Sequence, residues 1–331
     1  MRRAPAFWAS PPGLLSDLLW PAGAGWDAAG RLRRVLARPH CAAVPVICVG
    51  NLVAGGAGKT PVALALASRL AKCGAAVHIV TRGYGGRLGG PVQVDLARHD
   101  FTAVGDEALL LAARAPCWVA RDRADGVRAA VAAGAAVVIL DDGYQNPTVN
   151  KTVSILVVDE AYGFGNRRVI PAGPLREGLA RGLARADAVV LLGADASPRD
   201  PKTLGIGATL PVIPAVLRPV AGDRLAGERL LAFAGIGRPE KFFATLRELD
   251  AQLVETRSFP DHHPFRAGEV DELLRAAERA RACLITTAKD IVRVPAANRA
   301  AIEVLEVEIS WRDPDALDEL LRSVAGTRET A

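Results

Sequence analysis

Gly50-Asn51-Leu52-Val53-Ala54-Gly55-Gly56-Ala57-Gly58-Lys59-Thr60 is the stretch that decides the fold of this chain. The apolar run Val46-Ile47-Cys48-Val49 leads into it, and an alanine-rich helical pattern over 61–72 follows. Strand, glycine-rich loop, Lys-Thr and helix, in that order, form the arrangement that holds a triphosphate. Glycines let backbone N–H groups converge on phosphate oxygens, and the helix N-terminus adds a favourable dipole. Lys59 neutralises charge on the β- and γ-phosphates, and the Thr60 hydroxyl can ligate Mg²⁺. Gly50, Asn51, Gly55, Gly56, Ala57, Gly58, Lys59 and Thr60 are the expected nucleotide contacts. The loop departs from the usual spacing, because Val53 stands where the pattern has its first glycine. Pro61 suits a first helical turn, where its missing N–H leaves nothing unpaired. The alternative is a glycine-rich turn that binds nothing.

Residues 76–80, 117–120, 136–140, 154–158 and 188–192 read as further strands, with helices over 108–114 and 124–133. Continuous apolar strands alternating with helices predict an α/β fold, a parallel sheet covered on both faces. Polar and glycine residues cluster where these strands end, and binding crevices in open α/β sheets form there. The pattern weakens over 211–229, which reads as a linker. A second α/β unit opens with a strand over 230–234, the turn Gly235-Ile236-Gly237 and a helix from Pro239. It continues through 283–286 and a strand over 302–309. The expected boundaries are 1–214, a linker at 215–229, a smaller domain over 230–312, and 313–331 as a helix packing back on the first domain.

The length of 331 residues suits one large or two modest domains, and a half-hydrophobic composition indicates a globular chain. Cys41, Cys48, Cys73, Cys117 and Cys283 are scattered and odd in number, which favours structural thiols in a reducing compartment over a zinc site. No apolar run reaches the roughly 18–20 residues a spanning helix needs, and no signal peptide is evident. Most of the +5 net charge lies in residues 1–40, with six arginines against Asp17 and Asp27. The same segment holds Trp8, Trp20, Trp26 and the pairs Leu14-Leu15 and Leu18-Leu19. Arginine with Trp and Leu suits either an anionic membrane surface or a helix packed on the domain with its arginines solvated. The confinement of this charge to one end argues against nucleic acid.

Asp141-Asp142 follows four apolar residues, the place where a phosphate-loop protein sets the carboxylate that holds Mg²⁺. Asp106-Glu107 follows Gly105 at an expected helix start, and reads either as a helix cap or as a base beside a metal-ligating acid. Phe259-Pro260-Asp261-His262-His263-Pro264 holds the one histidine pair, a proton handler or a surface turn. Pro171-Ala172-Gly173-Pro174-Leu175-Arg176-Glu177 presents Arg176 on a rigid loop, suited to a phosphate or a sugar. Arg82, Arg121 and Arg123 also fall at expected strand ends, as anion contacts or as solvated charges.

Taken in order, these motifs resemble the tetraacyldisaccharide 4′-kinase family. The resemblance is carried by the 50–60 loop, Thr81-Arg82-Gly83-Tyr84-Gly85, Gly105-Asp106-Glu107, Asp141-Asp142-Gly143-Tyr144-Gln145 and the 171–177 loop. It continues through Ala234-Gly235-Ile236-Gly237, Asp261-His262-His263 and Thr287-Ala288-Lys289-Asp290. It implies a P-loop kinase with a smaller second domain on a two-stranded linker. The implied reaction moves the γ-phosphate of ATP, with Mg²⁺, to the 4′-hydroxyl of a lipid A disaccharide precursor, at the cytoplasmic face of the inner membrane. By resemblance, Asp106 is the general base, His262 its partner and Lys59 the phosphate lysine. Thr60, Glu107, Asp141 and Asp142 fall at metal positions, and Arg82, Arg123, Gln145, Arg176 and Glu177 face the acceptor. Asn146 stands where many relatives have His. A soluble kinase or ligase of a small metabolite, and a non-catalytic nucleotide switch, are the rival readings.

Overall fold

A computed structural model describes residues 5–193 and 200–325. Its strands are β1 (Val46–Gly50), β2 (Val77–Thr81), β3 (Val92–Gln93), β4 (Cys117–Val119), β5 (Val137–Asp141), β6 (Val153–Asp159) and β7 (Ala188–Leu192). Then come β8 (Val212–Pro219), β9 (Arg229–Ala234), β10 (Gln252–Ser258), β11 (Cys283–Thr287), β12 (Glu303–Leu305) and β13 (Val307–Trp311). The helices are α1 (Leu14–Leu36), α2 (Lys59–Lys72), α3 (Phe101–Val104), α4 (Asp106–Ala112), α5 (Arg123–Ala132) and α6 (Leu179–Leu183). They end with α7 (Pro239–Glu248), α8 (Ala267–Arg279), α9 (Ala288–Ile291), α10 (Ala296–Arg299) and α11 (Pro314–Ala325).

Nine strands form one sheet in the order β13-β8-β7-β6-β1-β5-β2-β4-β3, and four form a second in the order β10-β9-β11-β12. The large sheet is parallel except for β3 and β13, and the small one is parallel throughout. β1, β2, β5 and β6 are buried along their whole length, as strands covered on both faces must be. Side chains alternate between the faces. Ile47 and Val49 join one core with Leu66 of α2 and Leu111 of α4, while Val46 and Cys48 join another with Val127 of α5. Leu66 is fully buried. Truncating such a side chain to alanine costs about 2–5 kcal/mol. β1 lies between β5 and β6, so the loops after these three strands open at one end of the sheet, where the site is built.

α2, α4 and α5 each begin one or two residues earlier than the apolar pattern indicates. Their first turns carry Lys59, Asp106 and Arg123, polar residues that add nothing to a hydrophobic period. Two expectations for the second half need correction. The 302–309 run is not one strand. β12 pairs with β11 in the small sheet, and β13 runs antiparallel to β8 at the edge of the large one. The expected linker begins inside β8, whose strand signal is hidden by Pro214 and Pro219. β8 and β13 are thus the two strands by which the chain leaves and re-enters the large sheet.

α11 lays Leu317, Leu321 and Val324 on the core that Leu66 occupies, and Arg69 of α2 pairs with Asp318. That surface pair is screened by solvent, so apolar burial fixes α11. Arg2, Arg3 and residues 326–331 of the expected terminal helix lie outside the described residues.

α1 has its burial reversed. Ser16, Gly23 and Asp27 are its buried residues, whereas Leu14 is 93% exposed, Leu18 77% and Val35 81%. The buried side meets the 169–181 segment. A Cβ on Gly23 would lie 2.7 Å from the Val169 carbonyl oxygen, so glycine is what lets the helix approach. The Asp27 carboxylate accepts from the Gly178 N–H at 3.0 Å and pairs with Arg181. Trp26 Nε1 donates to the Arg176 carbonyl at 3.2 Å.

Candidate active site

The 50–60 loop is shaped by close approaches. A Cβ on Gly50 would come within 2.4 Å of Tyr144 Cβ, so glycine is required where β1 meets the loop after β5. Gly58 has φ +84°, a left-handed conformation just ahead of α2. Val53, the departure from the usual spacing, is buried and forms a β-bridge with Leu175. The flanking bonds run from Ala54 N–H to Pro174 O at 2.7 Å and from Arg176 N–H to Leu52 O at 2.8 Å. Here the loop is fastened to the 171–177 loop, and a side chain at 53 has a core to enter. Asn51 Nδ2 and Lys59 Nζ both donate to the Gly55 carbonyl, at 3.2 and 3.4 Å. Ala57 is buried, Gly55 and Gly56 are exposed, and Thr60 is half-buried in the first turn of α2.

At the end of β5, Asp141 is fully buried and neither carboxylate oxygen has a hydrogen-bond partner. Burial, then the charges of Glu107 and Asp142, push its carboxyl up to about 7. Asp142 has φ +53° and is forked by Arg176, at 2.8 Å to Oδ1 and 3.2 Å to Oδ2. Lys59 Nζ lies 3.8 Å from the same Oδ1. Burial opposes ionisation of Asp142, but Lys59 and Arg176 outweigh it and hold the carboxyl below its ordinary range. The two neighbouring acids are therefore differentiated, one in close ion pairs and one with no hydrogen bond and only the weaker pull of Lys59 and Arg123.

Arg123 and Glu177 are buried. Arg123 donates to the Ala120 carbonyl at 2.7 Å, and burial pulls its guanidinium down to about 10 against the attraction of Asp141 and Asp142. Glu177 is gripped by Arg185 at 2.8 Å and Arg34 at 3.1 Å. Gln145 ties the loops together, donating to the Asn51 carbonyl at 2.9 Å and to Glu177 at 3.2 Å while accepting from Arg176 at 3.3 Å. Asn146 Oδ1 is occupied within its own turn by the N–H and hydroxyl of Thr148, both at 2.8 Å. Arg82 is exposed.

The small sheet supplies the other wall. His262, in the left-handed region at φ +60°, is held by its N–H on the Gly235 carbonyl at 3.0 Å. Its Nδ1 lies 2.8 Å from Asp106 Oδ2, across 156 positions of sequence. Of the six non-glycine residues in this sparsely populated backbone region among the described residues, two, Asp142 and His262, fall at the site. Burial works against the Asp106 charge, but the His262 hydrogen bond, with the charges of Lys289 and Arg293, holds the carboxyl below its ordinary range. Lys289 Nζ is 3.4 Å from both Glu107 Oε1 and His262 Nε2. Arg293, buried, places Nε 3.5 Å from Asp106 Oδ2.

The structure thus brings Asp106 to His262, Lys59 and Arg176 to Asp142, and Gln145 to Asn51. Four residues of the site had no role assigned from sequence: Lys289, Arg293 and Arg238 on the small-sheet side, and Asp159 at the end of β6. Lys289 was visible within Thr-Ala-Lys-Asp, at the end of an expected strand. Arg293 is four residues further on and carries no local signal. Arg238 follows the Gly235-Ile236-Gly237 turn and donates to Asp159 at 2.7 Å and to the Gly56 carbonyl at 3.1 Å. A cleft of about 2670 Å³ runs between the sheets, lined by Lys59, Thr60, Glu107, Asp159, Arg238 and Lys289 among others. Among the described residues, no three His, Cys, Asp or Glu side chains converge into a ready metal cage.

Comparison with known proteins gives a consistent result. The family model for tetraacyldisaccharide-1-P 4′-kinase, LpxK, matches residues 15–325. A tetraacyldisaccharide 4′-kinase of Rhodospirillum centenum is 58% identical over 325 residues, covering 96% of each chain. One of Paramagnetospirillum magneticum is 53% identical over 321 residues, covering 96% of this chain and 97% of its own. The crystal structure of LpxK from Aquifex aeolicus in complex with ATP aligns with a TM-score of 0.77 at 26% identity, over 94% of this chain and 99% of that one. A match that extends from α1 to α11 and takes in both sheets establishes that this chain belongs to the tetraacyldisaccharide-1-P 4′-kinase family.

Proposed function

We propose that this chain transfers the γ-phosphate of ATP to the 4′-hydroxyl of tetraacyl-disaccharide 1-phosphate, giving lipid IVA for lipid A biosynthesis. The observation that carries the reading is one cleft with two walls. One wall is a phosphate-binding loop with Lys59 and Thr60, and the other carries Glu107 and Lys289. Beside Glu107 in the chain stands Asp106, a carboxylate kept ionised by an imidazole from the second sheet. A nucleotide switch needs the first wall only.

In this mechanism Asp106 accepts the 4′-hydroxyl proton as that oxygen forms its bond to the γ-phosphorus. The bond from γ-phosphorus to the bridging oxygen breaks, and ADP leaves with the electron pair. His262 orients Asp106. Lys59 and the loop N–H groups stabilise the charge spread over the phosphates, and such electrostatic stabilisation supplies most of the rate enhancement in phosphoryl transfer. Thr60, Glu107, Asp141 and Asp142 would hold Mg²⁺. The fit rests on Asp141, whose two buried, unpartnered oxygens are hard donors in need of a cation. Mg²⁺ commonly takes one or two carboxylates and completes its shell with water and phosphate, so no preformed cage is needed. When bound, the ion supplies neutralisation of the β- and γ-phosphates. Arg82 and Arg176 would meet the acceptor. Gln145, Arg123 and Glu177 would act behind them, since Arg123 and Glu177 are buried.

The outward apolar stripe of α1 supports contact with an anionic membrane surface. Leu14, Leu18, Trp20, Leu32, Val35 and Leu36 face outward, while Asp27, Trp26 and Arg34 tie the helix to the Arg176 loop. No helix among the described residues is long and apolar enough to cross a membrane. An apolar stripe with flanking arginines suits the plane of the interface. In vesicle sedimentation with anionic lipid, Leu14→Asp with Leu18→Asp and Val35→Asp is expected to lower the bound fraction several-fold without changing the circular dichroism spectrum. Unchanged binding would remove α1 from the membrane role. The reaction itself is tested by labelled γ-phosphate transfer from Mg-ATP to the disaccharide in mixed micelles, with Lys59→Ala as control. Product that depends on Lys59 supports the kinase. Folded, ATP-binding protein that makes none overturns it.

A further inference from the structure

We infer that Lys289 is a positioning residue of this reaction: by donating to Nε2 of His262 it fixes the imidazole as the neutral tautomer with its hydrogen on Nδ1, against Asp106, and it holds Glu107 at the same time. The inference rests on the kinase reading above and adds to it a residue with no role so far.

The donors and acceptors around the ring decide the tautomer. A lysine ammonium has three donors and no acceptor, and an ionised carboxylate is acceptor-only. Asp106 Oδ2 faces Nδ1 at 2.8 Å, so that nitrogen carries the hydrogen. Lys289 Nζ faces Nε2 at 3.4 Å, so that nitrogen offers its lone pair. The competing acceptor for a hydrogen on Nε2 is Asp261, whose Oδ2 is 3.8 Å away, beyond hydrogen-bond reach. Tyr84 also lies against the ring, its centroid 5.5 Å from that of His262. A neutral imidazole aims Asp106 without placing a full positive charge on it. An imidazolium would weaken Asp106 as a proton acceptor.

The geometry is backed by a fixed frame. Thr287 caps α9, its Oγ1 accepting from the Asp290 N–H at 3.1 Å and donating to Asp290 Oδ2 at 2.6 Å. Asp290 Oδ1 accepts the Gly235 N–H at 2.9 Å, and the Gly235 carbonyl accepts from His262 N–H and from Arg293 Nη2, each at 3.0 Å. The backbone N–H and carbonyl of Gly235 therefore lock the Lys289 helix to the His262 turn. Both side chains then reach across to consecutive residues in the first turn of α4, His262 to Asp106 and Lys289 to Glu107. The Thr-Ala-Lys-Asp motif, left without a role by the sequence, becomes the bracket that sets this two-residue register.

The test uses the full chain, free of Mg²⁺ and nucleotide, with ring-¹⁵N histidine. Two-bond nitrogen–proton correlations near neutral pH report which ring nitrogen carries hydrogen, and His262→Gln assigns the signal among the five histidines. The expected wild-type spectrum has Nδ1 protonated and Nε2 bare. Lys289→Met is expected to move the ring toward the other tautomer or a mixture, and to lower kcat about 10–100-fold with the KM for ATP within about twofold, the scale of supporting-contact mutations. Lys289→Arg, which keeps the donor, should recover part of kcat and the wild-type tautomer. A wild-type ring protonated at Nε2 overturns the inference, as does a Lys289→Met protein with unchanged tautomer and kcat. If Lys289→Met does not fold, the wild-type spectrum and Lys289→Arg decide. Failure of the wild type to phosphorylate the disaccharide would sink the kinase reading and leave the spectrum to judge the Lys289 contact by itself.

Discussion

Asp106→Ala is expected to lower kcat by roughly 10²–10⁴-fold, the range for loss of a general base, while ATP affinity stays near wild type. Asp106 starts α4 and meets His262, but it is not part of the 50–60 loop, so nucleotide contacts survive its loss. The same substitution removes one of two carboxylates beside the buried Arg293, leaving its closer partner Asp290, so some stability is lost as well. Asp106→Asn separates the two effects: it keeps the shape and the acceptor oxygen but cannot take a proton. Steady-state kinetics on both variants, with ATP binding measured separately, provide the check. Turnover near wild type in either variant would remove Asp106 as the base. The lowered carboxyl of Asp106 adds a sign: its ionised form persists below the ordinary aspartate range, so Asp106 itself sets no loss of rate between neutral pH and about pH 5.

Asp141→Asn is expected to move activity and stability in opposite directions. Activity should fall about 10²–10³-fold, since a carboxylate that would hold Mg²⁺ at the phosphate site is removed. Stability of the metal-free protein should rise, because the native carboxylate is buried with no partner. The carboxyl stands at about 7 in the fold against 3.8 when free. A folded value above the unfolded one means that the contribution of this group is fully present below about pH 3.8 and is lost as pH rises through about 7. The asparagine variant lacks that decline. Its melting temperature should exceed that of wild type above about pH 7, with the gap closing toward about pH 4. Thermal melts across this range in chelator are the measurement, and a variant that melts lower than wild type at the alkaline end would sink the argument. The same shift requires Mg²⁺ binding to displace a proton from Asp141. Calorimetry near neutral pH in two buffers of different ionisation enthalpy should therefore give different apparent heats.

Much of the large sheet was legible because its signal is local. A strand buried on both faces is a continuous apolar run, as in Val137–Asp141, and the run announces itself without knowledge of its neighbours. The phosphate loop was legible for the same reason, since glycine, lysine and threonine act within one turn of backbone. Val53 looked like a defect in that loop, and its reason lies 122 positions away at Leu175, the partner in its β-bridge. The 302–309 run gave a correct strand signal and a wrong strand count, because period-two alternation does not register a change of sheet. α1 was readable as an amphipathic segment, yet which of its faces is covered depends on whether a partner surface exists. The 169–181 segment covers the polar side through Asp27 and Gly23, and leaves the leucines outside.

The sequence by itself determined the α/β class, the phosphate loop at 50–60 and the presence of acids at 106–107 and 141–142. Each is written in neighbouring residues, and backbone geometry turns neighbours into strand, loop and helix without further information. The tertiary structure decided which acids are paired and which are not. Asp142 has Arg176 and Lys59, Asp106 has His262 and Arg293, and Asp141 has no hydrogen bond and only the more distant attraction of Lys59 and Arg123. Those differences come from burial and from contacts across the two sheets, where distances of about 3–4 Å set the charge state of each group. No spacing along the chain encodes them, because the groups that meet are separated by as many as 187 positions, as with Asp106 and Arg293.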